Sequence, residues 1–146
     1  MKRRFQIALM ILITAALSAC ASGPKFTEIN PNLVSDSPSM GRIFFYRPSS
    51  FGAALQPDII LNDEKIGAAI SWGFFYVDRP AGSYECVTST EVERKVSFIL
   101  EPGQTRYVRF SVSFGFFVGH VYGELVDDSV GLEEIKDCKY IGQENL

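Results

Sequence analysis

Residues 95–114 carry the pattern that most constrains the fold. Val96, Phe98 and Leu100 alternate with Lys95 and Ser97; after Glu101-Pro102-Gly103-Gln104, the residues Arg106, Val108, Phe110, Val112 and Phe114 alternate with Tyr107, Arg109, Ser111 and Ser113. Successive side chains of a strand point to opposite faces, so a period of two specifies strands with one core face and one wet face. Pro102 and Gly103 stand at the two central positions of a type II turn, the second of which needs a positive φ. The stretch therefore reads as a β-hairpin.

Units of the same kind fill the chain from Gly41 onward. Residues 42–47 (RIFFYR) are dense in β-branched and aromatic side chains and stop at Pro48, which cannot donate to a ladder. Residues 58–61 and 65–70 flank the turn group Asn62-Asp63-Glu64, a hairpin without the usual Asp-Gly pair. Further strands are expected over 72–77, 83–90 and 116–126, and Asp128-Ser129 opens a short helix carrying Leu132 and Ile135 on one side. A last apolar piece is Tyr140-Ile141. With twelve Phe and six Tyr, seven or eight short strands and no βαβ alternation, the expected fold is mainly β: an antiparallel β-sandwich or partly closed barrel over residues 41–146, with a short C-terminal helix.

The N-terminus belongs to a different class. Lys2, Arg3 and Arg4 precede an almost unbroken apolar run over 7–17, the layout of a cleaved signal peptide. An uncleaved membrane span is the competing reading, but residues 5–21 fall short of the roughly 20 needed to cross the hydrocarbon. Ala19-Cys20-Ala21 suits ordinary signal peptidase, which would cut after Ala21. Leu17-Ser18-Ala19-Cys20 also resembles the bacterial lipobox, which implies cleavage before Cys20 and a diacylglyceryl group on its sulfur. Each buried CH₂ contributes about 0.8 kcal/mol, so two or three acyl chains hold a protein on a membrane stably. Ala21 rather than Asp after the cysteine resembles the sorting pattern of outer-membrane lipoproteins facing the periplasm.

Removing residues 1–19 leaves eleven basic and seventeen acidic side chains, a net charge of −6. That charge disfavours nucleic-acid partners and leaves no polybasic membrane patch, so attachment falls to the lipid on Cys20. Residues 20–40 hold three prolines and several Ser, Asn and Asp without apolar period, and read as a flexible tether reaching on the order of 25 Å, with an edge strand around Asn32 to Val34 as the alternative.

With Cys20 lipidated, Cys86 and Cys138 form an even pair in an oxidising compartment. A bridge would close a loop of about fifty residues and stabilise by about 4 kcal/mol in the chain-entropy model; two buried free thiols are the alternative.

No catalytic set stands out. His120, the only histidine, has no second ligand at metal spacing; no Gly-x-Ser-x-Gly surrounds a serine; Asp127-Asp128 and Glu133-Glu134 read as helix-terminal charges; and the glycines of 115–123 lack the Lys-Ser/Thr ending of a phosphate loop. No cofactor or metal is expected. The unusual feature is aromatic density on both faces of some strands. Phe44 and Tyr46 oppose Ile43 and Phe45, and Trp72, Phe74 and Tyr76 oppose Phe75 and Val77. The second face meets either the chain's own helix and N-terminal segment or a binding partner.

The repeated layout of turn and Tyr-bearing strand in VDRPAGSYECV and ILEPGQTRYVRF, with GRIFFYRP, LNDEKIG and GELV, resembles a family of uncharacterised bacterial lipoproteins sharing a domain of unknown function. The resemblance covers about residues 41–136 and implies a prealbumin-like or immunoglobulin-like β-sandwich with no catalytic residues to transfer. Asn-Asp-Glu-Lys departs from the Asp-Gly-Lys hairpin more usual there. The expected function is a non-enzymatic, lipid-anchored envelope module that binds another envelope protein through Phe44, Tyr46, Trp72, Phe74 and Tyr76 or acts structurally. A periplasmic hydrolase and a binder of small apolar ligands are the alternatives.

Overall fold

A computed structural model of the chain describes residues 20–114 and 119–142. The expected signal peptide (1–19) and the start of the strand expected over 116–126 lie outside the described residues. Among those described, the chain runs through helix α1 (Phe26–Ile29), strands β1 (Met40–Tyr46), β2 (Asp58–Leu61), β3 (Glu64–Ala68), β4 (Gly73–Pro80), β5 (Gly82–Thr88), β6 (Glu91–Leu100), β7 (Thr105–Phe114) and β8 (Gly119–Val126), helix α2 (Asp128–Glu134), a 3₁₀ turn (Ile135–Asp137) and the short strand β9 (Lys139–Tyr140).

The strands form a five-stranded sheet ordered β8-β7-β1-β4-β9 and a four-stranded sheet ordered β3-β2-β5-β6, packed as a β-sandwich. Most neighbours are antiparallel, but β1 pairs with β7 in parallel, from Arg42↔Thr105 to Tyr46↔Arg109, and β4 pairs with β9 in parallel. A parallel pair needs a long crossover. The chain between β1 and β7 supplies one by visiting the other sheet.

Turn chemistry matches the backbone. Gly103 has φ +71, and the Gln104 N–H donates to the Glu101 carbonyl (3.1 Å), the turn that Pro102-Gly103 dictates. Asn62 and Asp63 have φ 46 and 66, so the β2–β3 hairpin is a type I′ turn without glycine. Asn62 offsets that strain by acting as an extra rung: its Nδ2 donates to the Ser83 carbonyl and its Oδ1 accepts from the Glu85 N–H (2.8 Å).

Two apolar layers result. Ile43, Phe45, Phe75, Val77, Val108 and Phe110 of the five-stranded sheet meet Ile59, Leu61, Cys86, Val96, Phe98 and Leu100 of the other, filling the interior of the sandwich. The alternate residues Phe44, Tyr46, Phe74 and Tyr107 point outward into a second cluster with Phe26, Ile135 and Cys138. Helices α1 and α2 and the 3₁₀ turn therefore make a third layer, because a strand apolar on both faces needs cover on both.

Candidate functional site

Two places concentrate the residues singled out by sequence: the outer aromatic layer and the end of the sandwich where Cys20 lies. On the outer layer, Phe44, Tyr46 and Phe74 are each no more than 1% exposed. Phe26 meets Phe44 and Phe74 edge-on, with ring centroids 5.9 and 5.3 Å away, and Tyr107 stacks on Phe44 at 5.2 Å. Of the two covers expected for this face, the chain's own segments or a partner, the first is what buries Phe44, Tyr46 and Phe74. The chain's own N-terminal segment and helix occupy it, because a lone Phe in a polar segment buries its ring most readily against the nearest unpaired aromatics. Trp72 and Tyr76 stay half-buried; the Arg42 guanidinium lies 4.3 Å over the Tyr76 ring.

The rim of this layer is a charged network. The Tyr46 hydroxyl donates to Glu134 Oε2 (2.6 Å), and Arg109 bridges Glu134 Oε1 (2.7 Å) and Glu124 Oε2 (3.0 Å). Burial and the hydrogen bond to Glu134 push the Tyr46 hydroxyl far above its ordinary range. Burial acts to lower the Arg109 pKa, but its bonds to Glu124 and Glu134 prevail and raise it. Glu134, read from sequence as a helix-terminal charge, thus bolts α2 to the sheet. Glu133 pairs instead with Lys136 in the exposed turn.

The expected Cys86–Cys138 bridge is corrected: both thiols are free. Cys86 faces the interior of the sandwich and Cys138 the outer layer, so the five-stranded sheet stands between their clusters. Burial pushes each thiol up to about 12, leaving them protonated and unreactive at neutral pH.

His120 is tied into structure. Its Nδ1 lies 2.8 Å from the Thr90 carbonyl oxygen and 3.7 Å from Glu91 Oε2. Among the described residues no group of three His, Cys, Asp or Glu is placed to hold a metal.

At one end of the sandwich, Cys20 begins the described chain and is partly exposed. It forms a parallel bridge with Ser71, and the Ala21 N–H donates to the Ser71 carbonyl (2.9 Å). The chain then runs along β9: the Tyr140 N–H donates to the Pro24 carbonyl and the Phe26 N–H to the Cys138 carbonyl (2.8 and 2.9 Å). A Cβ on Gly23 would stand 1.8 Å from the Tyr140 carbonyl oxygen, so only glycine permits this approach. Residues 32–35 are pinned too: the Asn32 carbonyl accepts from Arg42, the Leu33 carbonyl from Thr105, and Ser35 donates to Asp78. The segment expected as a free tether, or as an edge strand around Asn32 to Val34, is instead docked on the domain without strand pairing at 32–34. Composition hid this, because the docking uses backbone groups and one aromatic ring.

Beside Cys20 stands a feature that sequence did not announce. Arg47 is 1% exposed, and its guanidinium donates to the carbonyls of Phe51, Gly52, Leu55 and Ala69 at 2.5–2.9 Å. Its Nε is buried without a hydrogen-bond partner. Burial lowers its pKa, although an arginine keeps its proton in any ordinary protein setting. The loop 48–57 is thus wrapped around a buried cation. Ser71 Oγ donates to the Ser49 carbonyl, joining that loop to the strand that holds Cys20. A groove of about 300 Å³ beside Cys20 is lined by residues that include Gln56, Ile70, Tyr140 and Ile141.

The fold and this site define a three-layered β-sandwich whose N-terminal segment is built into the domain. Residues 37–121 match the family described as "Protein of unknown function (DUF2846)", and the chain belongs to that family. An uncharacterized protein of Haemophilus influenzae (strain ATCC 51907 / DSM 11121 / KW20 / Rd) is 31% identical over 139 residues, spanning 92% of this chain and 83% of the relative. No solved structure matches the chain.

Proposed function

We propose that the chain is an envelope lipoprotein: cleaved before Cys20, acylated on that sulfur, and held at the periplasmic face of the outer membrane, with the β-sandwich acting as a non-catalytic binding or structural module. The observation that carries the reading is the Leu17-Ser18-Ala19-Cys20 motif at the end of an apolar run, with Cys20, the first described residue, partly exposed. A non-catalytic role is supported by the chemistry of the candidates: His120, Glu134 and Glu133 are each engaged in pairs within the fold, and both remaining thiols are protonated.

Metabolic labelling with a fatty acid tests the anchor. The wild-type protein incorporates label and Cys20→Ser does not; equal labelling of the two, or none in either, contradicts it. In-cell crosslinking with identification of the captured proteins tests the module's binding role.

A further inference from the structure

The end of the sandwich that carries Cys20 is unlike the rest of the surface. Three segments meet there: 20–24, the loop 48–57 and the run 67–77, none containing Asp, Glu, Lys, Arg or His. Ser71 joins them, with Cys20 and Ala21 on one side and Ser49 on the other, and the Ala69 N–H donates to the Pro57 carbonyl (2.9 Å). Charge resumes at Lys25, Asp58 and Asp78, and Lys139 beside Trp72 and Glu91 at the start of β6 lie toward the same end, so the uncharged surface is these three segments and not the whole end. In a chain that is 21% charged, three such segments in contact make an uncharged strip.

The surface is also shaped. Arg47 fixes the loop 48–57 from below through the carbonyls of Phe51, Gly52 and Leu55, and the loop holds Phe51 outward at 57% exposure. Trp72, half-buried at the foot of β4, keeps φ +55, a conformation costly for a bulky residue, under hydrogen bonds from its N–H to the Arg47 carbonyl (2.9 Å) and from the Lys139 N–H to its own carbonyl (2.8 Å).

The geometry points to this end as a membrane-seating face: the uncharged loop 48–57, with Phe51 at its tip, rests in the headgroup region of a neutral phospholipid bilayer beside the acylated Cys20. The inference rests on the lipid-anchor reading above and adds to it a contact between the domain and the lipid. Three observations choose a bilayer as occupant. Cys20, the residue acylated in that reading, lies at this end through its bridge to Ser71, so the acyl chains are delivered here. The segment after Cys20 is docked rather than free, so the anchor cannot hold the domain at a distance. A loop without charge avoids the desolvation that seating a carboxylate or ammonium at the interface would cost, and aromatic rings favour that depth.

Trp72 is the only tryptophan of the chain, which makes the contact measurable. The acylated protein is reconstituted in vesicles of dioleoylphosphatidylcholine and in vesicles of the same lipid brominated on its acyl chains, with the acyl mass on Cys20 read from the same sample. The expected result is loss of Trp72 emission in the brominated vesicles and its recovery in Phe51→Asp, with the fold of the variant checked by circular dichroism in the same sample. Acylated protein that sediments with both vesicles yet shows equal emission overturns the seating face and leaves the anchor standing. Quenching unaltered by Phe51→Asp overturns it as well. Equal emission with a crosslinked dimer through position 51 gives the face to a second copy of the chain. Absence of acyl mass removes the anchor reading, and this inference falls with it.

Discussion

Arg47 shows at a single position how this fold handles a buried charge. Four carbonyls share its cation where a carboxylate partner would be usual, so removing the cation strands acceptors that the loop 48–57 has turned inward. Arg47→Met is expected to cost about 3–5 kcal/mol in urea unfolding, and Arg47→Lys nearly as much, because a point charge cannot serve a planar fork of acceptors. A loss under about 1 kcal/mol in Arg47→Met would contradict the role assigned here. Asp78 makes the pH dependence specific. It receives two hydrogen bonds from Arg42 and one from Ser35, and the Arg42 bond holds its carboxyl below the ordinary range. The folded state therefore binds the proton less readily than the unfolded one. Its contribution is present above the unfolded value of about 4 and is lost as pH falls through the lower folded value. Asp78→Asn is expected to lower stability at neutral pH by about 1.5–3 kcal/mol and to flatten the acid limb of a stability–pH curve; an unchanged limb would contradict the assignment.

Among the elements, the N-terminal segment departs most from what composition suggests. Its docking depends on Phe26 entering the outer layer and on Gly23 clearing the Tyr140 carbonyl. Phe26→Ala is expected to cost about 3–5 kcal/mol and to raise amide exchange over 20–30. Gly23→Ala should raise exchange at Ala21, Tyr140 and neighbouring amides with less effect on the sandwich interior. Protection at those amides unchanged in both variants would show that the segment is held otherwise. The strands were legible because period two survives in short stretches such as 96–100 and 106–112, and Pro102-Gly103 marks its own turn. The parallel β1–β7 pairing was not legible, since nothing local to Arg42 or Thr105 states which distant strand will lie alongside. The third layer was half legible: two apolar faces on 43–46 and 74–77 demanded a cover, but its source, a four-residue helix bearing one Phe, leaves almost no periodic trace. Cys86 and Cys138 were countable, but counting does not tell which face of a sheet each occupies.

At the scale of the whole molecule, Cys20 lies at one end of the sandwich beside the uncharged segments 48–57 and 67–77. The free thiols bear on how that shape is kept. Held in separate layers, Cys86 and Cys138 contribute packing rather than a covalent clasp, so a reducing agent is expected to leave the melting temperature unchanged, and a thiol reagent to modify them only in denaturant. A drop on reduction would reinstate the bridge. Cys20 follows the apolar run in sequence and pairs with Ser71 of the domain. The most direct test of the account is the mass of the N-terminal peptide of the mature protein isolated from membranes: it should begin at Cys20 and carry a diacylglyceryl group, whereas an unmodified peptide beginning at Ser22, or one that retains residues 1–19, would contradict it.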